Sequence, residues 1–131
     1  MRVLSAHRTP NETVAYVEAA RDRGIKVMIA GAGGAAHLAG VVASATTLPV
    51  VAVPINSTIS TMDGLDSLLS MVQMPSGVPV ATVAVDGAKN AGLLAVQIIG
   101  SADTEIAAKL DQYKKDMAAQ VLETDRSIQV V

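Results

Sequence analysis

A single α/β domain built on a parallel sheet is the fold this sequence predicts, and three observations carry it. Short β-branched runs alternate with Ala-rich segments along the chain, the pattern of parallel strands joined by helices. Half of the residues are apolar, yet only Tyr16 and Tyr113 are aromatic and there is no Phe or Trp. The core must therefore come from Ala, Val, Leu, Ile and Met, which suits tight packing of helix on sheet. A length of 131 residues fits one hydrophobic core, so residues 1–131 read as one domain.

The elements follow in order. Residues 2–4 read as the tail of a strand. Thr9-Pro10 offers an N-cap followed by Pro at the first helical position, and Glu12 places an acid in the first turn, where the helix dipole favours it. Val14, Val17 and Ala20 share one face of this helix up to a stop at Gly24. Residues 25–30 form a second strand, ending in Gly31-Ala32-Gly33-Gly34 before a small-residue helix through about Thr46. Residues 49–53 form a third strand closed by Pro54, with a Ser/Thr-rich loop over residues 56–61. Residues 63–73 read as a helix with Leu65, Leu68, Leu69 and Val72 on one side. A rigid turn over residues 74–79 leads into a strand over residues 80–85. Two helices finish the chain, over residues 90–99 and 103–122, and residues 127–131 read as a tail. In the last helix Ile106, Leu110, Tyr113, Met117 and Val121 form a narrow apolar stripe, which must pack on its own sheet or on a neighbouring subunit. Strands of this kind, buried on both faces, need a helix layer on each side.

Composition excludes whole classes of function. Ten Lys and Arg against twelve Asp and Glu leave a net charge of −2, with no basic field for a phosphate backbone and few aromatics on which bases could stack. Nucleic acid is excluded as a partner. Without Cys there are no disulfides, thiolate metal sites or cysteine nucleophiles, and two His among scattered carboxylates make no metal cluster. The first residues hold no apolar run of signal-peptide length, which points to the cytoplasm. Residues 27–62 contain no charged side chain, but glycines and prolines interrupt them too often for a membrane span. So much uncharged chain points to burial against other copies.

Ligands of open parallel sheets bind at the carboxyl ends of the strands. Two loops at such ends carry reactive residue types, Ser5-Ala6-His7-Arg8-Thr9-Pro10 and residues 31–37, and each contains a His. In the first, His7 is a candidate general acid or base, Arg8 a candidate phosphate or carboxylate ligand and Ser5 a hydrogen-bond donor. The competing reading makes His7 a helix cap and Arg8 a solvated charge. The second loop matches the relaxed dinucleotide fingerprint G-x-G-x-x-G/A, but residues 50–55 lack the acid that would bind the ribose. For His37 a buried or capping role competes with ligand contact. Residues 57–61, and Asp63 with Asp66, are weaker candidates with turn and helix-dipole explanations.

Longer motifs go further. Ser5-Ala6-His7-Arg8-Thr9-Pro10, Ala30-Gly31-Ala32-Gly33-Gly34-Ala35-Ala36-His37-Leu38, Gly64-Leu65-Asp66-Ser67-Leu68-Leu69-Ser70, the run from Val72 to Thr82 and Asn90-Ala91-Gly92-Leu93-Leu94-Ala95 together resemble the class I N5-carboxyaminoimidazole ribonucleotide mutases, the family that includes the catalytic subunit of phosphoribosylaminoimidazole carboxylase. The resemblance runs in register from Ser5 to about Gly100. It implies a flavodoxin-like three-layer α/β/α sandwich with a parallel sheet, to which this chain adds a C-terminal helix, assembled as a homo-octamer with sites near subunit junctions. It implies an enzyme of de novo purine synthesis that moves a carboxylate from the exocyclic nitrogen of an aminoimidazole ribonucleotide to a ring carbon, without metal or organic cofactor. By the same resemblance His7 is the general acid/base, Ser5 and Arg8 contact substrate, Arg8 through the phosphate, and Ala32, Gly33, His37 and Leu38 shape the imidazole and carboxylate pocket. An enclosed, apolar site would hold carbon dioxide and exclude water.

The chain departs from that family at its start. Members begin with a strand, a Gly-Ser-x-Ser-Asp loop and a helix, and this N-terminal β–α unit is absent here. The expectation is an N-terminally truncated chain that keeps its site residues and is weakly active or inactive alone. The alternatives are a companion chain that supplies the unit, or an inactive homologue that serves only as an oligomeric binding module.

Overall fold

A computed structural model of the chain describes residues 1–129. Three parallel strands, β1 (Met28–Gly33), β2 (Val50–Ile55) and β3 (Ala81–Thr82), form a sheet in the order β1-β2-β3. The helices are α1 (Pro10–Glu18), α2 (Leu38–Ser44), α3 (Leu65–Val72), α4 (Ala88–Gly100) and α5 (Thr104–Ile128), with a 3-10 turn at Met62–Gly64 ahead of α3. This is the α/β, flavodoxin-like architecture expected, with the long extra helix at its C-terminal end.

The chain divides into two compact units, Met1–Ala95 and Val96–Val131. In the first, the period-two alternation of the strands sorts their side chains between faces. Met28, Ala30, Val50 and Ala52 lie in one buried cluster with Val17, Ala20, Ala39 and Val42, and with Met71 from α3. The cluster contains no aromatic ring, and its Ala residues let helix and strand backbones come close. On the other face Val51 and Val53 are buried, whereas Ile29, beside Val51 in the register, is 48 % exposed.

Several elements differ from their sequence reading. Residues 2–4 form no strand, and no strand among the described residues pairs with them. Instead Arg2 lies 5.9 Å from the Tyr16 ring centroid, and Arg23 lies closer, at 4.3 Å. β1 starts three residues later than the apolar run and continues through Gly31 to Gly33, which pair in register with Val53 and Ile55. Pro54 lies inside β2 and does not close it. Its carbonyl accepts from the Asp86 N–H at 2.8 Å, on the side where β3 has already ended, so its missing donor leaves no ladder bond unmade. Of the apolar run 80–85 only Ala81 and Thr82 are ladder residues; Val83 adds one bond to the Ala52 carbonyl, and the chain then enters a turn with Asp86 at φ 57°. α1 stops at Glu18 and turns lead on to Gly24, while α5 continues through Ser127 and Ile128, read above as tail; Val130 and Val131 lie outside the described residues.

One side of the sheet is open. β1 pairs with β2 along one edge, and no strand among the described residues pairs with the other. A void of about 480 Å³ lies there, between Met1, Arg2, Val3 and Leu4 on one wall and residues 27–31 on the other.

In the second unit Asp103 caps α5 in the ordinary way, its carboxylate accepting from the N–H groups of Glu105 and Ile106, each at 3.0 Å. Ile106 and Leu110 pack over Gly100 at the end of α4.

Candidate active site

The loop ahead of α1 is built from hydroxyls. Thr9, at the N-cap position, makes no side-chain cap; its Oγ1 accepts from the Ser5 N–H at 2.9 Å and donates to the Ser5 carbonyl at 3.1 Å. Thr13, almost fully buried one turn into the helix, donates to the Thr9 carbonyl at 2.8 Å and reaches the Ser5 carbonyl at 3.4 Å. The Ser5 Oγ accepts from the Arg8 N–H at 3.2 Å. These bonds close residues 5–9 into a rigid turn and leave the His7 and Arg8 side chains exposed at its tip.

The facing loop is built by steric fit. A Cβ on Gly33 would stand 2.8 Å from the Ile55 carbonyl oxygen, inside any real contact, so only glycine lets β1 run this close to the end of β2. Gly34 has φ +63°, which turns the chain out of the sheet toward α2. The Ser/Thr-rich loop braces this turn from behind: Ser60 Oγ donates to the Ile55 carbonyl at 3.0 Å and accepts from the N–H groups of Ser57 at 2.9 Å and Gly34 at 3.4 Å. His37 follows at the head of α2, its backbone N–H bonded to the Ala35 carbonyl and its ring exposed.

The two loops meet at their imidazoles. His7 Nε2 lies 2.9 Å from His37 Nδ1, with the rings edge to face at 89° and their centroids 5.0 Å apart. One ring must donate and the other accept, so while this bond stands at least one of the pair is neutral. Ser5, His7 and Arg8 line one side of a cleft of about 540 Å³, and Ala32, Gly33, His37 and Leu38 line the other. A dinucleotide site finds no support, since the two glycines of the fingerprint lie within β1 as ladder residues. Ile59, inside the weaker candidate loop 57–61, also lines the cleft and packs beside Gly34. Its only signal was an apolar residue in a polar loop at a strand's carboxyl end. Asp66 stays out of the cleft lining and accepts from the Thr61 N–H at 2.9 Å, the local role its position suggested. Among the described residues no group of three or more His, Cys, Asp or Glu is placed to hold a metal ion, and no helix is long and apolar enough to cross a membrane.

The family model of AIR carboxylase matches residues 1–120. The N5-carboxyaminoimidazole ribonucleotide mutase of Pyrococcus horikoshii is 57% identical over 127 residues, spanning 97% of this chain and 71% of that protein. The mutase of Mycobacterium leprae is 57% identical over 129 residues, spanning 98% of this chain and 74% of that protein. Among solved structures, the crystal structure of Treponema denticola PurE superposes with a TM-score of 0.80 at 29% identity, over 96% of this chain and 77% of that one. On its matched length, its architecture and these identities, the chain belongs to the AIR carboxylase family.

Proposed function

We propose that this chain is an N5-carboxyaminoimidazole ribonucleotide mutase, converting its substrate to 4-carboxy-5-aminoimidazole ribonucleotide in de novo purine synthesis, with His7 as the acid and base. The observation that carries the site assignment is the 2.9 Å bond between His7 and His37 at the mouth of the cleft. A transfer of this kind needs one proton delivered and one removed. As the bond between the exocyclic nitrogen and the carboxylate breaks, protonated His7 gives its hydrogen to that nitrogen. The ring carbon then attacks the released carbon dioxide, and the now neutral His7 takes the hydrogen this carbon loses. The proton count closes without a second group, and a hydrogen-bonded neighbour that fixes the ring's orientation keeps His7 aimed through both steps.

The other residues divide the substrate between them. Arg8, exposed at the tip of the first loop, offers a bidentate partner for the phosphate, and Ser5 a hydroxyl beside it. Ala32, Gly33 and Leu38 present a small, apolar wall for the imidazole ring, and His37 reaches the carboxylate end. Both imidazoles are exposed in one chain, which supports closure of the cleft by a neighbouring copy and so the homo-octamer that the family resemblance implies, acting in the cytoplasm.

His7→Asn tests the assignment. Conversion of the carboxyamino substrate should fall by about 10³-fold, the scale of a lost acid/base group, while the sedimentation profile stays as it was. Undiminished turnover would remove His7 from the chemistry.

A further inference from the structure

The chain contains two Asp-Gly pairs, Asp63-Gly64 and Asp86-Gly87, and neither is among the residues that line the cleft. Both aspartates are exposed, and both have a left-handed backbone, at φ 55° and φ 57°. They differ in what holds them. The Asp86 carboxylate accepts from the Asn56 N–H at 3.1 Å, the Asp86 N–H donates to the Pro54 carbonyl at 2.8 Å, and the Gly87 N–H donates to the Ala84 carbonyl at 2.9 Å. At the other pair it is Asp66 that takes the Thr61 N–H, and the Asp63 carboxylate makes no hydrogen bond among the described residues. The Gly64 N–H reaches the Thr61 carbonyl only at 3.3 Å. Asp63 also stands between two further left-handed residues, Met62 at φ 49° and Gly64 at φ 91°.

We propose that Asp63 is a site of spontaneous isomerisation to isoaspartate, and that its hydrogen bonds protect Asp86 from the same reaction. In an Asp-Gly pair no Cβ shields the glycine nitrogen, which attacks the aspartate Cγ. The new N–Cγ bond closes a five-membered succinimide. One carboxyl oxygen leaves as water, with the amide hydrogen and, for the ionised group, a proton from solvent. Water then reopens the ring: attack at Cγ restores aspartate, and attack at the main-chain carbonyl leaves the backbone running through the side-chain methylene. Closure requires the carboxyl group and the following peptide to rotate toward each other. At Asp63 this gives up one long bond and leaves a backbone region that is uphill for an L side chain. At Asp86 it must first break the bond to the carboxylate, which slows closure at least about tenfold. The longer backbone at residue 63 would fall immediately ahead of α3, where the Gly64 carbonyl accepts from the Ser67 hydroxyl at 2.8 Å.

The full chain, aged for weeks in warm neutral buffer, tests this by digestion with endoproteinase Asp-N, which cuts before aspartate and not before isoaspartate. The expected result is progressive loss of the cut before Asp63, so that a peptide spanning residues 22–65 accumulates at unchanged mass, preceded by a form lighter by one water. The cut before Asp86 should be lost at least about tenfold more slowly. Equal loss at both sites, or loss at neither, overturns the proposal. In concentrated urea the two sites should react at matching rates; a faster Asp63 there would trace the difference to sequence and not to the fold, which also overturns it. Asp63→Glu would need a six-membered ring, so methyl labelling of the aged variant by protein isoaspartate methyltransferase should drop to the level of fresh protein. Persistent labelling of that variant would place the reaction elsewhere and sink the assignment.

Discussion

The two loops that form the cleft are made rigid in opposite ways. Residues 5–9 are held by side-chain hydroxyls: Thr9 and Thr13 spend their hydrogen bonds on the backbone of the turn. Residues 31–37 are held by the lack of side chains, with Gly33 pressed against the Ile55 carbonyl and Gly34 in a left-handed turn. A scaffold of hydrogen bonds loses strength one bond at a time, whereas a scaffold of close contact fails when a single atom is added. His7 sits on the tolerant loop and its imidazole partner, His37, follows the intolerant one.

That contrast can be broken by mutation. Gly33→Ala should have the largest effect, because the added methyl meets a backbone oxygen that cannot rotate away. The expected loss is about 3 kcal/mol of stability by urea unfolding, with activity falling alongside as the end of β1 shifts. A loss below about 0.5 kcal/mol would show that the turn relaxes easily. Thr13→Val keeps the shape but removes the donor to the Thr9 and Ser5 carbonyls. It should cost about 1 kcal/mol and lower kcat more than it raises KM, since the turn that aims His7 loosens; an unchanged kcat would show that Thr9 suffices. Ile59→Ala should change stability least, by less than about 0.5 kcal/mol for a side chain this exposed. It removes one wall of the cleft, so KM should rise severalfold with kcat nearly constant, as steady-state kinetics would show.

Much of this was legible in the sequence because the governing signals are local. Thr9-Pro10 announces the start of α1, and the motif strings carry the family. Strand limits were less legible, for a physical reason. Gly31 and Gly33 have low strand propensity, yet they pair fully because the neighbouring strand is close and needs no side chain there. Conversely, residues 80–85 have strong strand propensity but contribute two ladder residues: beyond Thr82 the chain stays beside β2 through single bonds, from the Val83 N–H to the Ala52 carbonyl and from the Asp86 N–H to the Pro54 carbonyl, and the Asp86 carboxylate accepts from the Asn56 N–H at 3.1 Å. The contact between His7 and His37 spans thirty positions and no periodicity encodes it. What the sequence did contain was a histidine in each of two loops read as following strands, and loops at strand carboxyl ends gather at one rim of an open α/β sheet; the His37 loop does follow β1, whereas the His7 loop leads into α1 with no strand before it.

The open side of β1 has a practical consequence for anyone handling the protein. A row of unsatisfied backbone donors and acceptors is a template on which any passing extended chain can add. In concentrated solution, β1 is therefore the strand at which edge-to-edge association would start.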